Sequence, residues 1–264
     1  MRAALALLIA LLCAGCERQG ERVLTVCADP NNLPFSNRAG QGFENKLAEL
    51  IARDLHARLD YVWWAQRRGY VRNTLNAGLC DLWPGVASSV DMVATSQPYY
   101  RSTYVFVTRD GDHLDGLTLD DPRLRRLRLG VQMIGDDGSN TPPAHALARR
   151  NIVANVRGFM LYGDYSRPNP PAAIVTAVAD GEIDVGLVWG PLAGYFAARS
   201  PVPLRLQPVT PWLDDTSWPM VYDISVGVPR SNPRLPGEVD RSLTAHRAEI
   251  DALLDRYRVP RTAP

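Results

Sequence analysis

The sequence has no excess of charge of either sign. Lys and Arg together number 29, Asp and Glu number 28, and the formal net charge is +1. A protein that binds nucleic acid as its main partner usually carries a basic excess, so this balance argues against that class. Hydrophobic residues make up 46% of the chain and charged residues 22%, a composition typical of a globular protein rather than a disordered one.

Apolar runs long enough to cross a bilayer are also missing. The one sustained run, residues 3–12 after Arg2, is too short for a membrane span and fits the core of a secretory signal. The small residues before Cys16 resemble a bacterial lipobox, in which the cysteine is lipidated after cleavage. The alternative is an ordinary signal peptide cleaved nearby. We therefore expect residues 1–16 to be a leader and the mature protein to reach the periplasm, held to the membrane only through a lipid on Cys16 if at all.

Signatures of catalysis are absent from the sequence as well. The four histidines, His56, His113, His145 and His246, do not have metal-ligand spacing. The sequence contains no nucleophile elbow, no phosphate-binding loop and no dinucleotide fingerprint, and it has no c-type haem motif. We expect no enzyme activity, no bound metal and no cofactor.

Cysteine is scarce, and only Cys27 and Cys80 fall in the folded part of the chain. An oxidising compartment favours a disulfide between them. Cys27 falls late in one predicted strand and Cys80 at the start of another, and parallel neighbours in that register would hold the two thiols apart. Two free thiols packed in the core are therefore the alternative.

Alternating apolar strands and amphipathic helices predict two α/β lobes. Strands at residues 23–27, 59–64, 82–86 and 104–108, with helices at residues 43–55 and 71–79, give a βαβαβ order. A polar break near residue 110 opens a second set of strands and helices, and residues 221–228 read as a strand that returns to the first set. We predict one lobe from residues 21–109 with 222–264, a second from residues 110–221, and a hinged cleft between them for a small-molecule ligand.

Four segments carry a resemblance to a known family. They are CADPNNLPF at residues 27–35, GFE at 42–44, NAGLCD at 76–81 and QPYY at 97–100. Together they resemble the family 3 extracellular solute-binding proteins, which bind polar amino acids for ABC importers. The resemblance implies a two-lobed periplasmic binding protein-like (type II) α/β fold.

A narrower resemblance covers further stretches of the chain. Among them are QRRGYVRNTLNAG, PYYRSTYVFVTR, NTPPAHALARR and VWGPLAGYFA. These are similar to the J-type periplasmic proteins encoded with PQQ-dependent methanol dehydrogenases. That resemblance implies an accessory role in maturation or activation of the dehydrogenase, with the dehydrogenase and its cytochrome c as partners. The alternatives are an ABC-transporter receptor for a small non-amino-acid solute and, as in a few relatives of this fold, a periplasmic dehydratase.

The cleft of this chain lacks the charged groups that hold an amino acid in the family. Members that bind amino acids place an Arg between the third strand and the Pro-Tyr-Tyr motif, and an Asp after the strand that corresponds to residues 185–188. Here residues 86–96 contain no Arg, and Trp189 stands at the Asp position. A zwitterion would lose both ionic partners and still bear the cost of desolvation, so we expect no standard amino acid as ligand.

Other residues remain as candidates for the cleft and for a docking patch. Asp29 and Asn32 fit a turn equally well, Tyr99 fits hinge-side packing, Asp164 a tight loop and Trp189 a contact between lobes. Arg and Trp are frequent at interface hot spots, although a solvated strand end is the alternative for the docking group. The cleft candidates are Asp29, Asn32, Phe35, Tyr99, Arg101, Asp164 and Trp189, and the docking candidates are Trp64, Arg67 and Arg68.

Overall fold

Strands and helices alternate along the chain as an α/β structure. The computed structural model describes residues 21–134, 140–161, 165–215 and 218–263. The strands are β1 (Val23–Ala28), β2 (Asn31–Asn32), β3 (Ser36–Asn37), β4 (Arg58–Trp63), β5 (Trp83–Ala87), β6 (Ala94–Thr95), β7 (Tyr100–Arg109), β8 (Leu129–Met133), β9 (Val156–Met160), β10 (Val185–Trp189), β11 (Leu204–Pro208), β12 (Leu213–Asp214), β13 (Trp218–Pro219) and β14 (Val221–Val228). The helices are α1 (Phe43–Asp54), α2 (Tyr70–Asn73), α3 (Pro142–Arg149), α4 (Ala173–Ala179), α5 (Gly190–Ala197), α6 (Leu235–Ala245) and α7 (Arg247–Arg256).

The first lobe forms around the apolar face of α1. Phe43, Leu47 and Ile51 recur at helical spacing and are buried, so this face packs against the strands. Strand β1 pairs in parallel with β4, and a parallel bridge joins Val26 to Leu82 just before β5. One hydrophobic cluster contains side chains from β1, α1, β14, α6 and α7, so the C-terminal segment completes the lobe that the N-terminal segment begins.

The second lobe has a sheet with apolar layers on both faces. Strands β9, β8 and β10 run in parallel, and β7 is antiparallel to β10 and β11. Side chains alternate across a strand, so Phe106 of β7 packs in the cluster that contains α3, and Val105 and Val107 pack in the cluster that contains α4 and α5. The helices therefore cover opposite faces of one sheet.

Strand β7 belongs to both lobes. Residues from Tyr100 to Thr103 pair with β14 of the first lobe, whereas residues from Tyr104 onward pair with β10 and β11 of the second. The partner changes in mid-strand, which makes β7 a covalent and hydrogen-bonded connection between the lobes. The exact domain limits given above, at residues 109–110 and 221–222, stay a prediction.

Three elements differ from the sequence-based expectation. The helix expected at residues 71–79 ends after one turn at Thr74, whose φ of −125° and ψ of −87° are not helical. The apolar run at residues 152–156 predicts a strand, but the strand in this part of the chain is β9, which begins only at Val156, because α3 ends in a turn with Asn151 at a φ of 55°. The apolar spacing from Val239 to Tyr257 predicts one C-terminal helix, but the helix divides into α6 and α7 at His246, which has a non-helical backbone.

Cys27 and Cys80 form a disulfide, with their α-carbons 5.6 Å apart. The sequence positions of the two cysteines in their predicted strands had suggested that the thiols lie apart. The segment just before β5 brings them together. The N–H groups of Asp81 and Leu82 both donate to the Thr25 carbonyl, so the segment crosses close beside β1. None of the described helices has the length and apolar character needed to cross a membrane.

Removal of this disulfide should destabilise the first lobe substantially. The bond closes a loop with a sequence separation of 53 residues, which corresponds to roughly 4 kcal/mol in the chain-entropy account. We expect the variant Cys27→Ala/Cys80→Ala to lose about 2–4 kcal/mol of unfolding free energy in urea. Reductant should destabilise the wild type similarly and leave the double variant unchanged. If reductant left the unfolding free energy of the wild type unchanged, the assignment of the Cys27–Cys80 disulfide would be contradicted.

Candidate functional site

A cavity of about 750 Å³ lies between the two lobes. This volume falls within the range of small-molecule sites, roughly 300–1,000 Å³. Both lobes contribute side chains, so the cavity exists only while the lobes face each other as they do here. The first lobe supplies Asp29, Asn32, Phe35, Glu44, Gln66, Tyr70, Trp83 and Tyr100 among others, and the second supplies Gln132, Ile134, Leu161, Pro171, Trp189 and Leu192.

Aromatic rings make up much of the cavity wall. The Trp189 ring makes edge contacts with Tyr104 and Tyr222, with ring centroids 5.2 and 5.9 Å apart. On the first lobe the rings of Tyr70 and Trp83 lie 5.4 Å apart. The Trp189 backbone N–H donates to Gln132 Oε1 at 2.9 Å, which holds the tryptophan at the end of β10. The wall is therefore largely apolar and rigidly packed.

The Asp29 carboxylate is buried and fully engaged by protein donors. Its Oδ1 accepts the Asn31 N–H at 2.8 Å. Its Oδ2 accepts the Gln66 N–H at 2.8 Å and the Tyr165 hydroxyl at 2.5 Å. Tyr165 belongs to the second lobe, so its hydrogen bond to Asp29 links the two lobes. We call this contact the joint.

Neighbouring contacts extend the same joint. The Asn31 side-chain amide donates to the Arg167 carbonyl at 2.8 Å, and its oxygen accepts the Asn169 N–H at 3.1 Å. The Arg67 guanidinium lies 5.2 Å from the centre of the Tyr165 ring, within cation–π range. These contacts hold the segment around residues 165–169 against the turn that precedes β2.

Glu44 is the buried acidic group of the cavity that the sequence-based candidates omitted. It lies in the first turn of α1 and is only 6% exposed. Burial first, and the nearby Asp29 charge second, raise the pKa of its carboxyl well above the ordinary value of 4.5. The sequence does contain a pattern that predicts its burial, because Glu44 shares helical spacing with Ala48 and Ile51, which are both buried.

Gly85 of β5 allows the Glu44 carboxyl to approach the backbone closely. A Cβ built on Gly85 would overlap the Glu44 side chain, and Gly85 has a φ of +82° that favours glycine. No side chain or backbone N–H of the described residues donates a hydrogen bond to this carboxyl. Glu44 thus differs from Asp29 in having polar capacity left for something in the cavity.

The sequence-based candidates separate into distinct places. Asp29, Asn32, Phe35 and Trp189 line the cavity, and so do Arg67 and Arg68 of the docking group. Trp64, the third docking candidate, is 43% exposed on the surface. Asp164 and Cys16 lie outside the described residues.

Tyr99 and Arg101 do not line the cavity. Tyr99 is buried in the first-lobe core with its ring 4.9 Å from that of Tyr100. Arg101 faces the partner strand, where its guanidinium lies 3.5 Å from the Asp223 carboxylate. Alternation along the start of β7 explains the difference, because Tyr100, between them, does reach the cavity.

The two positions expected to lack the charged groups of an amino-acid site line the cavity with apolar side chains. From residues 86–96 only Ala87 and Met92 line it, and Trp189 lines it as well. The described residues contain no group of three or more His, Cys, Asp or Glu side chains that could hold a metal ion.

Comparisons with known proteins agree with this architecture. The chain is 31% identical over 255 residues to Protein MoxJ of Paracoccus denitrificans, an alignment that covers 90% of this chain and 88% of that protein. The chain belongs to the MoxJ family. No protein-family model matches the chain.

Solved structures show that this MoxJ family member also shares its fold with known proteins. The periplasmic binding protein XoxJ from Methylobacterium extorquens AM1 is 35% identical, with a TM-score of 0.74 over 92% of this chain and all of that one. The substrate-binding protein of an amino acid ABC transporter shares the fold at 19% identity, with a TM-score of 0.60 over 89% of this chain and 98% of that one. The expected two-lobed binding-protein fold is confirmed.

The buried Glu44 carboxyl should make stability depend on pH. Its pKa is raised in the folded state, so its protonated form favours folding below about pH 4.5, and this contribution is lost as pH rises through the raised pKa. Between about pH 4.5 and the raised pKa, we expect the free energy of unfolding of the wild type to fall by up to about 1.4 kcal/mol per pH unit relative to that of Glu44→Gln. Thermal unfolding of both proteins across pH measures the difference.

Glu49→Gln is the matched control for this measurement. Glu49 lies on the same helix with its side chain exposed and paired with Lys46. Its substitution removes a carboxylate from the same helix outside the cavity, so it shows what the loss of a glutamate there does without touching the buried group. A wild-type profile that runs parallel to that of Glu44→Gln would contradict the raised pKa.

Proposed function

We propose that this chain is a non-enzymatic periplasmic accessory protein of a PQQ-dependent methanol or alcohol dehydrogenase, and that it assists maturation or activation of that enzyme. Membership of the MoxJ family is the observation that carries the proposal. The apolar lining where an amino acid would be bound supports a role other than amino-acid uptake. In this proposal residues 1–16 contain the secretory leader and its lipobox, cleavage precedes Cys16, and Cys16 is the site of lipid attachment.

The proposed contact surface for the dehydrogenase, and for its cytochrome c, is the docking patch of Trp64, Arg67 and Arg68. Trp64 follows β4 directly, and its backbone N–H donates to the Ala28 carbonyl at 2.9 Å, so the indole projects from a fixed strand end. Large exposed tryptophans beside arginines are typical of interface hot spots. Because both arginines also line the cavity, this patch borders the mouth of the cleft.

Truncation of Trp64 should weaken association with the dehydrogenase. We expect Trp64→Ala to reduce co-purification of the dehydrogenase with the tagged protein at least about tenfold, as for a hot-spot residue worth 1.4 kcal/mol or more. Trp212→Ala is the matched control, because Trp212 is 47% exposed and is not part of the patch. Equal losses for the two variants would refute the docking assignment.

The accessory role itself is tested in a deletion strain. Loss of the gene should lower the amount of active holoenzyme and the rate of alcohol oxidation. Normal holoenzyme and normal oxidation in that strain would overturn the proposal.

A second candidate function is that of a transport receptor for a small solute other than an amino acid. The cavity of about 750 Å³ between two lobes favours it, since such a space suits a small ligand. A ligand at one hundred times its Kd should stabilise the folded protein by about 2.7 kcal/mol, which a thermal-shift screen detects. No shift across alcohols, organic acids and amines would contradict this function.

A further inference from the structure

We propose that the cavity binds a primary organic ammonium ion with an apolar, preferably aromatic, body, and that the Glu44 carboxylate is its counter-ion. This inference concerns the cavity alone and does not depend on the dehydrogenase association. It assigns a role to Glu44, a buried acidic side chain of the lining that accepts no hydrogen bond from the described part of the chain.

The first step is the contrast between the two buried acids of the cavity. Asp29 accepts three hydrogen bonds from protein donors, which use most of the accepting capacity of its carboxylate. Glu44 is nine-tenths buried, lines the cavity, and accepts no hydrogen bond from the described part of the chain. A buried carboxyl without a donor is costly, so a donor supplied by a ligand would be favoured.

The second step is the shape and chemistry of the surrounding wall. Rings from both lobes line the same space as Glu44. Aromatic faces carry partial negative charge and attract cations, and the rings also bury an apolar body. A cation with an aromatic body therefore matches both features, whereas an anion would meet the negative ring faces unfavourably. The rings are Phe35, Tyr70, Trp83, Tyr100, Tyr104, Trp189 and Tyr222.

The third step is the charge around Glu44. The titratable groups of the described chain that interact with it are the Asp29 carboxylate and the hydroxyls of Tyr70, Tyr99 and Tyr100. None of them is a cation that would compete with a ligand ammonium. Three arginines also line the cavity but are exposed to solvent, where their repulsion of a cation is screened. They are Arg67, Arg68 and Arg72.

Binding of such a cation is coupled to release of a proton. Because burial and the Asp29 charge raise its pKa, the Glu44 carboxyl stays protonated to a higher pH than an ordinary glutamate when the cavity holds no cation. The ammonium forms an ion pair with the carboxylate, and the carboxyl proton passes to solvent, so charge is conserved. Affinity should therefore rise with pH through the range in which Glu44 titrates, while the ligand amine remains protonated.

Isothermal titration calorimetry on the mature protein can test the inference with a matched pair of probes. Benzylammonium and benzyl alcohol share a ring and differ in charge. We expect benzylammonium to bind at least about tenfold more tightly than benzyl alcohol. Titrations in two buffers of different ionisation enthalpy should show net proton release, up to one per ligand at pH values well below the raised pKa.

Variants locate the charge that is responsible. Glu44→Gln should lower the affinity for benzylammonium at least about tenfold and abolish proton release, and Glu44→Asp should retain part of the preference for the cation. Glu49→Gln should bind as the wild type does. Because the probe pair is compared on the wild-type protein, the test stands even if a variant fails to fold.

Three results would overturn the inference: equal binding of the amine and the alcohol, tighter binding of benzoate than of benzylammonium, or no binding of any of these probes. Each of them would leave co-purification with the dehydrogenase untouched. Failure of this inference is therefore distinguishable from failure of the proposed function.

Discussion

Closure of the two lobes depends on the carboxylate of Asp29. Its oxygens accept one hydrogen bond from Asn31 and one from Gln66 on their own lobe, and a third from Tyr165 on the other lobe. A buried carboxylate is stable only when donors satisfy it, so the two lobes complete one another at this point. Strand β7 provides the covalent connection, and Asp29, together with the neighbouring contacts of Asn31, links the lobes beside the cavity.

The same cavity contains a second buried acid, Glu44, in a different environment. Its carboxyl is desolvated and faces aromatic rings, while the nearby Asp29 charge disfavours its ionisation. Gly85 is required beside it because a side chain there would occupy the same space. The two acids of the cavity thus have different roles. Protein donors bind the Asp29 carboxylate, whereas the Glu44 carboxyl retains unused hydrogen-bonding capacity.

Sequence patterns predicted the local elements well and the contacts between distant segments poorly. Residues in β1 and β10 form short apolar runs, so their strands could be recognised without tertiary information. Tyr165 lies 136 residues from Asp29, and the sequence pattern of neither segment predicts the hydrogen bond between them. Glu44 could have been inferred from its spacing with Ala48 and Ile51, but a glutamate in a first helical turn is ordinary at an exposed position.

The docking patch and the cavity share residues, and this has a thermodynamic consequence. Arg67 lines the cavity, contacts the Tyr165 ring of the joint, and belongs to the proposed contact surface for the dehydrogenase. A partner that moves Arg67 would change the joint at Asp29 and with it the closure of the lobes. Linkage then requires that a ligand in the cavity change the affinity for the partner by the same factor that the partner changes the affinity for the ligand. A binding-protein fold could in this way serve an accessory role while its cleft retains a ligand.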